Sequence, residues 1–198
     1  LKECAPGQFE INLIHCNDAL RAGDSAVLLK RLIKGVALNH GFEATFMAKP
    51  YGDEAGSGAH VHISLLDETG NNVFASTDED PLGTPALRQA IAGVLELMPA
   101  SMAIFAPNLN SYRRFQAGLY VPMAPSWGYD NRSVAVRIPS GHNAARRIEH
   151  RVAGADANPY LLLATLLASV LHGLSNELMA PPPIEGNAYE QLEPTLTN

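Results

Sequence analysis

The sequence predicts an α+β fold with an antiparallel sheet, on three observations. Short segments with strand-like alternation recur at 60–66, 133–138 and 147–152. Longer segments with helical apolar spacing stand between and around them. Strand and helix do not alternate in the regular order of a parallel βαβ fold, and no unit of about 20 to 50 residues repeats.

Taken in order, residues 3–13 read as a turn around Ala5-Pro6-Gly7 leading into a short strand. Asp24 or Ser25 caps a helix to about His40; Leu28, Leu29, Leu32, Ile33 and Val36 keep the 3.6-residue period, and Gly41 ends it. Ala44–Met47 reads as a strand, 49–59 as a glycine-rich loop and 60–66 as a strand. The Asp67–Asn72 turn then leads to Val73–Phe74 as a hairpin partner. Thr84-Pro85 supplies a cap and first-turn proline for a helix towards Ile104, which Pro99 interrupts. Residues 107–132 are irregular, and strands follow at 133–138 and 147–152. Asn158-Pro159 opens a largely apolar helix to about Leu178, expected to be buried, and Pro181–Pro183 end it.

The 198 residues are 46% hydrophobic and 17% charged, a globular composition that excludes a disordered tail or a collagen-like repeat. A net charge of -6 argues against a nucleic-acid partner. The longest apolar run, Leu161–Leu171, is too short to span a bilayer and is closed by His172 and Asn176, so no membrane is expected. No basic-then-apolar start marks a signal peptide, and Cys4 and Cys16 read as free thiols in a reducing cytoplasm. Both ends read as internal boundaries: there is no initiating Met, and Glu3 already opens a motif-dense stretch.

Charge distribution is the first signal of chemistry. Every basic residue after Lys49 is Arg, and seven (Arg113, Arg114, Arg132, Arg137, Arg146, Arg147, Arg151) fall within 39 residues that hold only Asp130 and Glu149 as acids. Arg suits planar, bidentate recognition of carboxylate and phosphate, so the stretch predicts bound anions over a salt-bridged surface. Arg147, Glu149 and Arg151 alternate, which places a carboxylate between two guanidiniums on one strand face, as an ion ladder or as a site. His60 and His62 likewise share a face; one could ligate a metal while the other meets phosphate, and the Gly56-Ser57-Gly58 turn before them lets backbone amides approach an anion. Glu3 and Glu10 would face opposite sides of an unbroken strand, but the Pro-Gly turn between them allows both to face one cavity, as oxygen ligands for a hard cation.

Together these segments resemble the glutamine synthetase family over essentially the whole chain. The run Lys49-Pro50-Tyr51, Ala55-Gly56-Ser57-Gly58-Ala59-His60 and Ser64 is similar to that family's long ATP-region signature. The segments Glu3 to Glu10, Asn110 to Arg114, Asn131 to Pro139, Arg147 to Arg151 and Asn158-Pro159-Tyr160 follow in the family's order. The resemblance implies a curved antiparallel sheet backed by helices and ATP-dependent γ-glutamyl ligation. It also implies Mg²⁺ (or Mn²⁺) and a ring-forming homo-oligomer with sites at subunit boundaries. By matching motifs, Glu3 and Glu10 would hold the metal nearer the amino acid, and His60 and Glu149 the metal on the nucleotide side. Gly56, His60, Arg114 and Arg151 would bind glutamate. His62, Ser64, Arg132, Arg137 and Arg147 would meet ATP, and Arg132 and Arg151 would act at the transferring phosphoryl group. Arg132 and Arg137 are five apart, so Arg132 is expected in the loop before the strand.

The departures from the family pattern point to the acceptor. Ammonia-using members carry a glutamate six residues after the arginine matched by Arg114; here that position is Tyr120, which makes Tyr120 the acceptor-site candidate. An asparagine common before the glycine turn is Ala55. The runs Tyr112 to Gln116 and Ser126 to Arg132 look like the γ-glutamyl-polyamine synthetase branch, so an organic amine such as putrescine is expected in place of ammonia. Tyr189 falls where family members are adenylylated. The family's N-terminal β-grasp domain, its Glu-x-Glu strand and its last helices have no counterpart in these residues, and the 198-residue chain alone is expected to be inactive. The rival readings are an ordinary ammonia-using enzyme, a non-catalytic scaffold of the same fold, and an RNA-binding module using the arginines with their interleaved aromatics.

Overall fold

A computed structural model describes residues 2–77 and 82–197. Among them four short strands form one sheet: β1 (Val61–Ile63), β2 (Trp127–Tyr129), β3 (Val136–Ile138) and β4 (Ile148–His150), in the order β1-β4-β3-β2. β4 pairs antiparallel with both β1 and β3, and β2 pairs parallel with β3. The α+β class stands, and the sheet is mixed where an antiparallel one was expected. The parallel pair arises because the chain leaves β2 through Asp130, at a left-handed φ of 46°, and returns to the strand's starting end before β3. Asn131 holds that return, its Oδ1 accepting from the Ser133 amide and hydroxyl.

The strands are shorter than their alternating segments, and two expected strands are absent. In the N-terminal segment only Lys2 and Phe9 meet, in a single bridge, and residues 44–47 join no ladder. The Asp67 turn is followed by one bridge, Leu66 to Asn72, where a longer hairpin was expected.

Helix α1 (Ala19–Asn39) begins about a turn and a half before the predicted cap, because Asp18 accepts from the Leu20 and Arg21 amides. Gly23 lies inside it; a Cβ there would come within 2.8 Å of the Tyr160 ring, so the helix needs the missing side chain to pack. Helix α2 (Pro85–Leu97) starts at Thr84 as predicted, and Pro99 breaks it into a 3₁₀ turn before α3 (Met102–Phe105). A short α4 (Leu109–Tyr112), closed by a reciprocal Asn108–Ser111 capping box, lies in the segment expected to be irregular. Helix α5 (Pro159–Ser175) is capped by Asn158. It buries Leu162, Leu166 and Val170, but Leu161 and Leu171 stay exposed, so only one side of this apolar helix is covered by the described residues.

α2 and α5 cross at Gly93 and Gly173 and back one face of the sheet. Ile91, Val94, Met98, Phe105 and Leu166 pack there with Val136, Ile138 and Ile148. Strand alternation then sends Arg137 and Glu149 to the opposite face. After α5 the chain runs along the free edge of β2, where the Ile184 amide donates to Trp127 O (2.8 Å) and Trp127 Nε1 donates to Pro181 O (2.6 Å). That belt, which carries α6 (Ala188–Gln191), covers an edge that would otherwise present unpaired amides.

Candidate active site

Sheet register places His62, Glu149 and Arg137 side by side, since Glu149 is the direct partner of His62 on β1 and of Arg137 on β3. Glu149 is buried and receives two guanidiniums: Arg151 Nη1 donates to Oε1 (2.6 Å) and Arg137 Nη1 to Oε2 (3.0 Å). Burial alone would raise its pKa. The charges of Arg151, His60, His62 and Arg137 outweigh that and hold the carboxyl below its ordinary value. Arg137 is shared, its Nη2 reaching Asp130. The flanking pair is thus Arg137 and Arg151, not Arg147 and Arg151. Arg147 lies just outside β4 and reaches across to β1, donating from Nε to His62 Nδ1 (3.0 Å).

Both histidines are pushed below the ordinary imidazole value. Desolvation, then the charge of Arg151, brings His60 to about 4, although it stands 3.4 Å from Glu149 Oε1. His62 is lowered by desolvation and by Arg147, whose donor also requires a bare Nδ1.

Glu3 and Glu10 do converge. The Glu3 amide donates to Gln8 O and the Gln8 amide to Ala5 O (both 3.1 Å), with Gly7 at φ 74°, so the Pro-Gly turn folds the two acids together. The hydrogen bond to Glu10 raises Glu3, and the same bond lowers Glu10. Arg132 acts electrostatically on Glu3, and His60 on Glu10, which links this pair to the Glu149 cluster. Two carboxylates within hydrogen-bond reach of each other fit a hard divalent cation, whose charge would favour the ionised form of both. The second expected donor set is also together, His60 Nδ1 lying 3.4 Å from Glu149 Oε1, and each Glu149 oxygen, which accepts one guanidinium bond, keeps a second lone pair. Among the described residues no three His, Cys, Asp or Glu side chains form a metal-holding group.

The glycine turn and Arg114 form the third part. A Cβ on Gly56 would lie 2.5 Å from Arg114 Cγ and 2.6 Å from Ala48 O, so only glycine lets the turn close over the arginine. Arg114 is buried beneath it, donating from Nη2 to Val152 O, and burial lowers it to about 10. Arg132 sits in an exposed turn before β3, as expected, and Ser64 is exposed just past β1. Tyr120 is 59% exposed at a φ of 55°, and its carbonyl faces Arg151 Nη2 (3.4 Å).

Sequence reading missed the residues that hold these parts together. Gln8 Nε2 donates to Gly56 O (3.0 Å) and Ser57 Oγ (3.3 Å), docking the acid pair on the glycine turn. Asn110 clamps Lys49 reciprocally, donating to its carbonyl and accepting from its amide. Asp130 restrains Arg137. All three lie inside or beside the motifs, which is the only signal they gave.

The family model for the glutamine synthetase catalytic domain matches residues 1–197. The chain belongs to the glutamine synthetase family. It is 53% identical to the gamma-glutamylputrescine synthetase PuuA of Escherichia coli over 96% of this chain and 40% of that protein. It is 43% identical to a glutamate–isopropylamine ligase of a Pseudomonas species over 95% of this chain and 41% of that protein. A solved structure titled "Apo GmaS without ligand" superposes with a TM-score of 0.78 at 31% identity, over 90% of this chain and 41% of that one. This glutamine synthetase domain therefore spans about two-fifths of the length of the curated relatives it matches. Among its described residues Cys4 and Cys16 are free and exposed, and no helix is long and apolar enough to cross a membrane.

Proposed function

We propose that the full-length protein is an ATP-dependent glutamate–amine ligase whose acceptor is an organic amine such as putrescine. The glutamate γ-carboxylate attacks the γ-phosphorus of ATP and ADP leaves. The amine nitrogen then attacks the acyl carbon of γ-glutamyl phosphate, inorganic phosphate departs, and the nitrogen loses a proton. Phosphoryl transfer of this kind rests on positioning and charge neutralisation, which the guanidinium cluster around Glu149 supplies.

In this reading Gly56, His60, Arg114 and Arg151 receive glutamate, and His62, Ser64, Arg137 and Arg147 meet the nucleotide. Arg132 and Arg151 neutralise the transferring group. Glu3 and Glu10 would hold one Mg²⁺ or Mn²⁺ and His60 with Glu149 the other, and when bound these ions would neutralise phosphate charge. Glu149 also anchors Arg137 and Arg151. The family also supports a ring-forming oligomer with sites at subunit boundaries, and the free thiols support a cytoplasmic setting.

One observation carries the choice of acceptor. Tyr120 is largely exposed and its carbonyl faces Arg151 Nη2, so a neutral aromatic side chain stands on the backbone next to Arg151 where ammonia-using members carry an acid, and it suits an alkyl amine better than a small cation. The names of the relatives, a putrescine synthetase and an isopropylamine ligase, point the same way. The test is phosphate release with ATP, Mg²⁺ and glutamate across ammonium, putrescine, spermidine and ethanolamine. Turnover with an organic amine and little with ammonium supports the proposal; efficient glutamine formation from ammonium sinks it.

A further inference from the structure

Tyr120 occupies the left-handed region, which is sterically costly for a residue with a Cβ, and something must hold it there. Three neighbouring carbonyls of its loop are gripped from outside. Tyr120 O faces Arg151 Nη2 (3.4 Å), Val121 O accepts from the Tyr189 hydroxyl (3.1 Å), and Met123 O accepts from the Thr195 and Leu196 amides (2.9 and 3.0 Å). Two of these three grips come from the belt that follows α5. Tyr189 is its one side-chain contribution here: half-buried, within electrostatic reach of both Arg151 and Tyr120, its ring packed with Ala117, Met123 and Leu192 around a small cavity. The belt itself is anchored independently, through Ile184 on Trp127, Asn131 on Ile184 and Gly186, and Ala188 on Ser133.

We propose that Tyr189 is a positioning residue for the amine acceptor: its hydroxyl, bonded to Val121 O, fixes where the Tyr120 ring stands against the acceptor beside Arg151. This rests on the reading of Tyr120 as an acceptor-site residue. Of the residues assigned to glutamate and nucleotide only Arg151 touches this loop, and its shorter bond to Glu149 holds it independently, so the effect falls on the acceptor.

The test is Tyr189→Phe in the full-length protein, which keeps the ring packing and removes only the donor. The expected result is a rise of about fivefold in KM for the amine, the scale of one lost hydrogen bond, with KM for glutamate and ATP and the melting temperature unchanged. Tyr120→Asn, which tolerates the left-handed backbone and deletes the ring, provides the second arm. The double variant is expected to bind the amine no worse than Tyr120→Asn alone, because Tyr189 acts through that ring. An unchanged acceptor KM, a parallel rise in all three KM values, or additive losses in the double variant would overturn the proposal. If the wild type uses ammonium alone, the organic-amine reading fails by itself; the role of Tyr189 is then judged by the same split, with ammonium as the acceptor.

Discussion

Replacing Gly93 by Ala opposes two effects whose sizes can be compared. In an exposed helix the change stabilises by about 1 kcal/mol, since Ala is the better helix former. Gly93, however, faces α5 at the helix crossing. Its Cβ would overlap the Ser169 carbonyl oxygen and lie 2.6 Å from Gly173 N and 2.7 Å from Gly173 Cα. Ordinary contact begins near 3.4 Å, so the two backbones must part by about 0.8 Å at least. No flexible side chain can yield, because every atom met is main chain. Overpacking of this kind costs about 1–3 kcal/mol, and the upper end applies where rigid helices must separate and loosen Ile91, Val94, Leu166 and Val170. The net expectation is a loss of about 2 kcal/mol, or a melting temperature lowered by about 4–8 °C for a chain of this size. Gly35 is the control: it lies inside α1 with nothing within 4 Å of its Cβ, so Gly35→Ala should stabilise by about 0.5–1 kcal/mol. Thermal unfolding of both variants decides the matter. A Gly93→Ala protein as stable as Gly35→Ala would refute the close-crossing argument.

Three further outcomes follow from the site. Gln8→Leu removes the tie between the acid pair and the glycine turn, so half-saturating Mg²⁺ and KM for glutamate should both rise, by about tenfold, in a metal titration of activity. Glu149→Gln leaves the Arg137 and Arg151 guanidiniums without their carboxylate; turnover should vanish and urea unfolding should show a loss of about 3 kcal/mol. His150 is fully buried beside Phe105 with both ring nitrogens unpartnered, and burial lowers it to about 3. The unfolded chain therefore takes up a proton that the folded one refuses as pH falls below about 6.5, and at pH 5 the penalty is about 2 kcal/mol, set by the unfolded pKa alone. His150→Leu should lose that part of the stability decline between pH 7.5 and 5; equal declines in variant and wild type would show that His150 is not its source.

Local rules made much of this fold legible. Thr84-Pro85, Pro99, Asn158-Pro159 and Gly41 act through caps, a lost amide or a left-handed φ, and each marks the boundary it should. Gly23 shows where such rules fail. A glycine inside α1 has no local reason, and the Tyr160 ring, 137 residues away, explains its presence. Strand direction was equally hidden, because nothing in the short segment 130–135 says whether the chain turns back or recrosses. The site was legible as chemistry and not as pairing. Alternation put Arg147, Glu149 and Arg151 on one face, but register across β1, β4 and β3 decided that Arg137 takes the second oxygen and Arg147 takes His62.

That choice of partners bears on what the face can do. Two guanidiniums share one buried carboxylate at Glu149, and among the described residues the other acid paired with them is the half-exposed Asp130. Arg114 donates to a carbonyl, and Arg147 to an imidazole and a carbonyl. Neutral acceptors fix these side chains without cancelling their charge, and that charge adds to desolvation in lowering His60 and His62. Had Arg147 joined Arg151 on Glu149, as alternation suggested, Arg137 would be anchored by Asp130 alone and His62 would lose the guanidinium that faces its Nδ1. The register fixes Arg137 and Arg151 on one buried anchor and leaves Arg147 on His62, so the guanidiniums of this face are oriented before any ligand arrives, which suits the proposed phosphoryl transfer.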